Sequence, residues 1–295
     1  MSVYTQERNE PGILLGKRAR MLTRYGRNSI SVMDWTVVSA TNNEEVLRNC
    51  LLNSPDISEA SEVILQRGYN SAAAAYNQAI DKAQSDLLVF VHQDVYLPQG
   101  WLTSVRRTIE LLSKIDPNWG ILGVYGVNKP NDGTGFLYCA ENGTLGHAFE
   151  GVREVRTLDE LLLIMRKSSN LRFDEQLPGF HMYGTDICLE ARRQGMRSYA
   201  ISAFCIHNTS GYRMLPLQFW RCYLFMRKKW RTELPVATSC TQITLGCWPM
   251  IHWNLSRAAR IALGRYRATT RLTDPSRFYL DSASSDSGVA PEPQV

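Results

Sequence analysis

Five apolar residues, Leu87-Leu88-Val89-Phe90-Val91, run directly into His92-Gln93-Asp94. An unbroken run of branched and aromatic side chains suits a strand buried on both faces. In open α/β sheets ligands bind beyond the carboxyl ends of the strands, so polar groups delivered there are available for chemistry. A carboxylate and an imidazole at that point suit an oxygen-rich ligand bridged by a metal ion, such as a diphosphate. A strand that merely ends at a turn, with Asp94 capping local amides, accounts for the same residues. Three more polar groups stand at strand ends or helix starts: the Thr41-Asn42-Asn43-Glu44 turn, Gly184-Thr185-Asp186, and His207. Taken singly each has a plain explanation, Asp186 as a helix cap above all.

The segments that must position these groups alternate between strand and helix patterns. Trp35 to Ala40 reads as a short strand, and Asn42-Asn43 followed by Glu44 and Glu45 as a helix start. Ser61 to Leu65 reads as a second strand. Ser71 to Ala83 is an alanine-rich helix carrying Asn77, and Trp101 to Leu112 an amphipathic one. Ile121 to Val127 is expected to form one buried strand, followed by a loop from Asn128 to Gly135. A strand around Val152 and Glu154 precedes Asp159-Glu160, where the chain is expected to pass into a helix through Leu161 to Met165. Thr185-Asp186 opens a helix through Arg193 that Gly195 stops, and Tyr199 to Cys205 is a last strand delivering His207. This alternation implies an α/β fold with a mostly parallel sheet and crossover helices.

Composition narrows the class. With 44% hydrophobic residues and seven Trp, the chain has ample material for a folded core. Its net charge of +5 is uneven, gathered at Lys17, Arg18, Arg20, Arg24 and Arg27 and again at Arg257, Arg260, Arg265, Arg267 and Arg271. Basic flanks suit an anionic surface or polymer, and solvated terminal charge is the plain alternative. No recognition motif accompanies them, so nucleic acid is not an expected partner. The seven cysteines are scattered without a CxxC pair, which removes zinc-site and thioredoxin readings and suits a reducing compartment. Glu7, Arg8 and Glu10 stand where a secretory signal would be apolar, and no segment is apolar enough to span a bilayer. A cytoplasmic location is expected. The chain divides into a basic arm (1–33), a globular domain (34–232), a C-terminal helical extension (233–280) and a disordered tail (281–295).

The order and spacing of the motifs resemble those of nucleotide-sugar-dependent glycosyltransferases of the GT-A fold, in the inverting, family-2-like branch. The nearest likeness is to the StrF-like (streptomycin-biosynthesis-type) glycosyltransferases. It covers roughly residues 35 to 232. It is carried by Ala74 to Ala79, Val89 to Val95 with Gly100-Trp101-Leu102, Phe173-Asp174-Glu175, His181 to Leu189, His207, and Lys229-Trp230. The resemblance implies a GT-A-type, Rossmann-like sheet with flanking helices. It implies that Ser39, Thr41, Asn43 and Glu44 hold the base and ribose of the donor, with Asn77, His92 and Gln93 on the same side. His92-Gln93-Asp94 takes the place of the family's Asp-x-Asp motif, His92 being the departure. Asp94 and His207 would then bind the Mn²⁺ or Mg²⁺ that bridges the donor diphosphate. Asp186 matches the base that deprotonates the acceptor hydroxyl, and Asp159, Glu160, Tyr183 and Thr185 fall on the acceptor side.

The expected reaction is therefore single displacement with inversion, from a nucleotide sugar such as a UDP-linked one to a glycan, a lipid-linked or a small-molecule acceptor. A sugar-nucleotidyltransferase of the same fold is a rival, but it would place a Gly-rich, Lys/Arg-bearing loop where Thr41-Asn42-Asn43-Glu44 stands. A catalytically silent nucleotide-sugar-binding protein is the other. Trp248, Ile251, Trp253, Leu255, Ile261 and Leu263 interleave with the C-terminal arginines, a pattern that suits a helix lying at the inner face of a membrane. A helix packed on the domain with its arginines in water has the same pattern.

Overall fold

The computed structural model describes residues 34–211, 214–266 and 268–284; the expected basic arm and residues 285–295 lie outside them. The first half of the chain gives β1 (Trp35–Thr41), α1 (Glu44–Asn49), β2 (Glu62–Arg67), α2 (Ala72–Lys82), β3 (Leu87–Val91), β4 (Val95–Tyr96) and α3 (Trp101–Ile115). Then come the strands β5 (Ile121–Gly123), β6 (Tyr125–Val127), β7 (Gly133–Cys139), β8 (Gly143–Gly146), β9 (Val152–Val155), β10 (Thr157–Leu158) and β11 (Leu162–Arg166). The last part holds α4 (Tyr183–Arg193), β12 (Ser198–Ile201), β13 (Ile206–His207), α5 (Leu217–Lys229), β14 (Val236–Ala237), β15 (Gln242–Ile243), α6 (Trp248–Ala262) and α7 (Pro275–Ser284).

The main sheet has seven strands in the order β2-β1-β3-β11-β5-β12-β9. β11 and β9 pair antiparallel with their neighbours and the remaining pairs are parallel, so five of the seven strands run the same way. The expected α/β class with a mainly parallel core holds. Strand alternation sends each central strand into two cores. Leu88 and Phe90 of β3, with Leu163 and Met165 of β11, pack into the core shared with α2, α4 and α5. Leu87, Val89, Val91, Leu162 and Ile164 enter the core on the other face, shared with α1 and α3. Burial on both faces is why these strands read as unbroken apolar runs. In α2, Ser71 caps by accepting from the Ala74 amide, and the small side chains of Ala72, Ala75 and Ala79 let the helix lie close on the sheet.

Several expectations change. Ile121 to Val127 is two strands: β5 belongs to the main sheet, while β6 bends away at Val124 into a second sheet ordered β10-β6-β7-β13-β4. The expected loop to Gly135 is cut short by β7, which with β8 forms a hairpin absent from the sequence reading. Leu161 to Met165 is not a helix: β11 wedges antiparallel between β3 and β5. A five-residue apolar run fits a buried strand or a helix equally by periodicity, and the neighbouring strands decide it.

The stretch from residue 233 is stitched to the same core. Val236, Ile243 and Met250 sit in the cluster of α4 and α5, Arg156 donates to the carbonyls of Glu233 and Pro235, and Thr157 donates to that of Ala237. It opens with the β14–β15 hairpin rather than a helix. Helix α7 runs through Ser284, four residues into the expected tail. Among the described residues, no helix is long and apolar enough to cross a membrane.

Candidate active site

Two backbone pairings build the site. The β3–β11 register sets Val91 opposite Leu162, and the His92 amide then donates to the Leu161 carbonyl at 2.9 Å, which brings Asp159 and Glu160 beside the end of β3. The β4–β13 register sets Val95 opposite His207, and the Asn208 amide donates to the Asp94 carbonyl at 2.8 Å, which swings His207 across from Asp94. Asp94 and His207, 113 positions apart (207 − 94), are thus brought together with His92. Ligand atoms of His92, Asp94 and His207 all lie within 4.8 Å of one another. They border a cleft of about 780 Å³ that Asp159, Glu160, His181 and Thr185 also line.

Hydrogen bonding fixes the state of His92. The buried Tyr183 hydroxyl donates to the Glu160 carbonyl at 2.9 Å and lies 2.7 Å from His92 Nε2. With the hydroxyl proton committed, Nε2 must carry the ring proton, leaving the Nδ1 lone pair for a ligand. Burial lowers His92 to about 4 against the opposing pull of Asp94 and Asp159, so the ring is neutral near pH 7. His207 Nε2 stands 3.5 Å from Asp94 Oδ1. Burial opposes charge on His207, but Asp94 overrides it and raises the ring to about 10. Burial likewise opposes charge on Asp94, yet His207, His92 and Arg271 hold its carboxyl well below the usual range. Two imidazoles and one carboxylate, with one ring already oriented from behind, are a donor set that fits a divalent cation.

Of the residues expected on the acceptor side, Asp159, Glu160 and Thr185 line the cleft, and Tyr183 bonds to the Glu160 backbone. Glu160 packs over Gly184, whose missing Cβ would come within 2.9 Å of the Leu158 carbonyl and 3.1 Å of Glu160 Cα. Burial raises the Glu160 carboxyl above its ordinary value, partly offset by His181, whose Nδ1 lies 3.7 Å from Oε1. Asp159 Oδ1 accepts from the Leu161 amide at 2.9 Å. Met182, just before α4, holds a left-handed backbone (φ 65°), unusual for a non-glycine residue and a local strain that aims Tyr183 inward.

Several expected site residues do other work. Asp186 does not line the cleft: it is 2% exposed, and its oxygens receive Trp230 Nε1 at 2.7 Å and Lys229 Nζ at 2.8 Å. Lys229 also binds Asp174 at 2.7 Å, so Asp174, Asp186 and Lys229-Trp230 form one partly buried brace. Burial raises the Asp186 carboxyl against these donors. Nor does Asp186 cap α4, which starts three residues earlier. Asn77 is spent on the Phe173 backbone at 2.9 and 3.0 Å. Glu44 pairs with Arg67 at 2.6 Å, and Asn43 caps α1 through the Glu45 and Val46 amides. Ser39 is wholly buried beneath the site, its hydroxyl unpartnered among the described residues. Gln93 accepts from Thr41 Oγ1 (2.6 Å), Asn42 N (3.1 Å) and Asn43 N (3.0 Å), so it stiffens the turn that Thr41 and Asn42 present to the cleft.

Other cleft residues lay outside the sequence expectation. Trp253 and Arg257 of α6 line it, Arg257 pairing with Glu141 at 2.9 Å. Arg271 reaches Asp94 at 3.8 Å and donates through Nε to the Asn208 carbonyl at 3.0 Å. The C-terminal basic pattern was the available signal, since arginines beside Trp suit an anion inside a site as well as outside one.

Residues 36–218 match the pattern of a glycosyltransferase-like family. A chain of Fuscovulum blasticum named ATP synthase subunits region ORF 6 is 29% identical over 167 residues, 54% of this chain and 66% of that one. Among solved structures, S. aureus TarS 1-349 in complex with UDP-GlcNAc is 15% identical over 66% of this chain and 65% of that one, with a TM-score of 0.44. The mannosyltransferase PcManGT from Pyrobaculum calidifontis, in complex with GDP-Man and Mn²⁺, is 13% identical over 86% and 80%, also at 0.44.

Proposed function

Because this chain belongs to the glycosyltransferase-like family, we propose that it moves a sugar from a nucleotide-sugar donor to a hydroxyl acceptor by single displacement with inversion. The observation that carries the reading is the convergence of His92, Asp94 and His207 in the same cleft as the raised carboxyl of Glu160. A divalent ion on the three ligands would supply the positive charge that a departing nucleoside diphosphate needs. The chain's own residues do the rest. The Thr41–Asn42 turn, braced by Gln93, offers a rigid edge for the nucleoside. Tyr183 holds His92 and the Glu160 backbone in one frame. Glu160 takes the acceptor's proton as its oxygen attacks the anomeric carbon; a carboxylate with a raised pKa suits that task. Asp186 is thereby reassigned from base to brace. The StrF-like placing rests on the quoted motifs alone. The outward face of α6 remains the proposed point of peripheral membrane contact.

Thermal melting with UDP or GDP, with and without Mn²⁺, tests the reading. A nucleotide at 100 times its Kd stabilises by about 2.7 kcal/mol, a rise of about 5 °C or more. Asp94→Ala should lose the Mn²⁺-dependent part. If neither nucleotide moves the wild-type transition with metal present, the donor assignment fails.

A further inference from the structure

A smaller polar hollow of about 370 Å³ adjoins the cleft, and the two share Glu141, Asn142, Trp253 and Arg257. Arg257 is spoken for, paired with Glu141 and stacked 4.8 Å over the Trp253 ring. Arg260 and Arg265 line only the smaller hollow, and neither has an acidic partner among the described residues. Their closeness is a product of the helix end. Gly264 takes a left-handed turn (φ 65°) after α6, and the Arg265 amide returns to the Arg260 carbonyl at 2.8 Å. The chain thereby folds Arg265 back beside Arg260, with Ser256 and Thr269 hydroxyls at the rim.

Two unneutralised guanidinium groups in one concavity match the oxygens of a phosphoryl group, which they bind in forked, charge-assisted pairs. The donor's diphosphate is already met by His92, Asp94, His207 and the adjacent Arg271. The Arg257–Glu141 pair stands between the two regions as a neutral divider. We propose that the Arg260–Arg265 hollow is a phosphate subsite that holds a phosphoryl group carried by the acceptor. This rests on the glycosyl-transfer reading and adds the acceptor's chemical class: a phosphate ester, either soluble or the headgroup of a lipid.

Calorimetric titration of the full chain with inorganic phosphate tests it, alone and with UDP and Mn²⁺ saturating. The expected result is phosphate binding whose Kd stays within about two-fold when UDP and Mn²⁺ are present. Arg260→Ala/Arg265→Ala should weaken phosphate about ten-fold or more while binding UDP with Mn²⁺ as the parent does. Both side chains are exposed, so the double variant should melt like the parent. Competition between phosphate and UDP would hand the arginines to the donor and overturn the proposal, as would unchanged phosphate affinity in the double variant. A wild type that binds phosphate but no nucleoside diphosphate overturns the glycosyl-transfer reading, and the acceptor assignment with it. Glycerol 3-phosphate and phosphatidylglycerol vesicles then separate the sources. Arginine-dependent binding to the first alone marks a soluble acceptor, and to the vesicles a lipid headgroup, and either result retains the phosphoryl group.

Discussion

Tyr183→Phe removes a single oxygen, and the geometry says what that oxygen does. It lies 2.7 Å from His92 Nε2 and 2.9 Å from the Glu160 carbonyl, and the whole side chain is 2% exposed. Phenylalanine fills nearly the same volume, so packing against Tyr76 and Phe173, with ring centroids 5.4 and 5.9 Å away, should persist. The loss is polar. One part-buried N–H and one part-buried carbonyl lose this partner, at about 1–3 kcal/mol each, so the domain should be destabilised by about 2 kcal/mol or more. The sharper effect is on metal. Without its partner the His92 ring is free to change tautomer and to rotate, and losses of this kind lower metal affinity by about 10- to 100-fold. Calorimetric titration of Mn²⁺ with UDP present measures that. Tyr223→Phe is the control: its hydroxyl receives the Thr244 amide and donates to the Gly246 carbonyl, so it should cost stability and leave Mn²⁺ affinity alone. If Tyr183→Phe binds Mn²⁺ within two-fold of the parent, the hydroxyl does not orient His92 and the metal reading of this group is wrong.

Glu160→Gln should lower turnover by about 10²-fold or more with donor binding near normal. Because burial raises the Glu160 carboxyl, and a base works only when deprotonated, parent kcat/KM should climb with pH along a limb centred above the ordinary carboxylate range; Asp159→Asn should keep that limb, and its survival in Glu160→Gln would exclude Glu160 as the base. Asp186→Asn should instead cost about 2–3 kcal/mol of stability, because it leaves Lys229 with Asp174 alone in a partly buried brace; a parent-like melt combined with lost turnover would restore Asp186 as the base. On α6, Trp248 and Leu255 are 66% and 60% exposed on the face opposite the cleft. Trp248→Ala/Leu255→Ala should abolish co-sedimentation with anionic vesicles at low salt, and a parent that ignores such vesicles removes the membrane contact altogether.

The sequence by itself determined the outline. Continuous apolar runs marked β1 and β3, cap chemistry marked α1, an alanine-rich run marked α2, and the polar ends of those elements marked where a site would open, because these signals are local. His92 and Asp94 were legible for the same reason, because they follow the apolar run of β3, whereas the strand expected to deliver His207 ends at Ile201 and His207 itself lies in β13. What only the tertiary structure decided is what each polar group faces. Asp186 and Asp94 are both acidic residues at element ends; Lys229 and Trp230, more than forty positions on in the numbering, claim the first, while His207 and the cleft claim the second. The same holds for β11, whose residues suit a helix until β3 and β5 pair along both its edges. It holds again for Arg257 and Arg271, which a one-dimensional reading sends to a surface and the fold brings to Glu141 and Asp94. Burial and charge pairing are properties of neighbours in space, and a sequence pattern carries them only when those neighbours are also near along the chain.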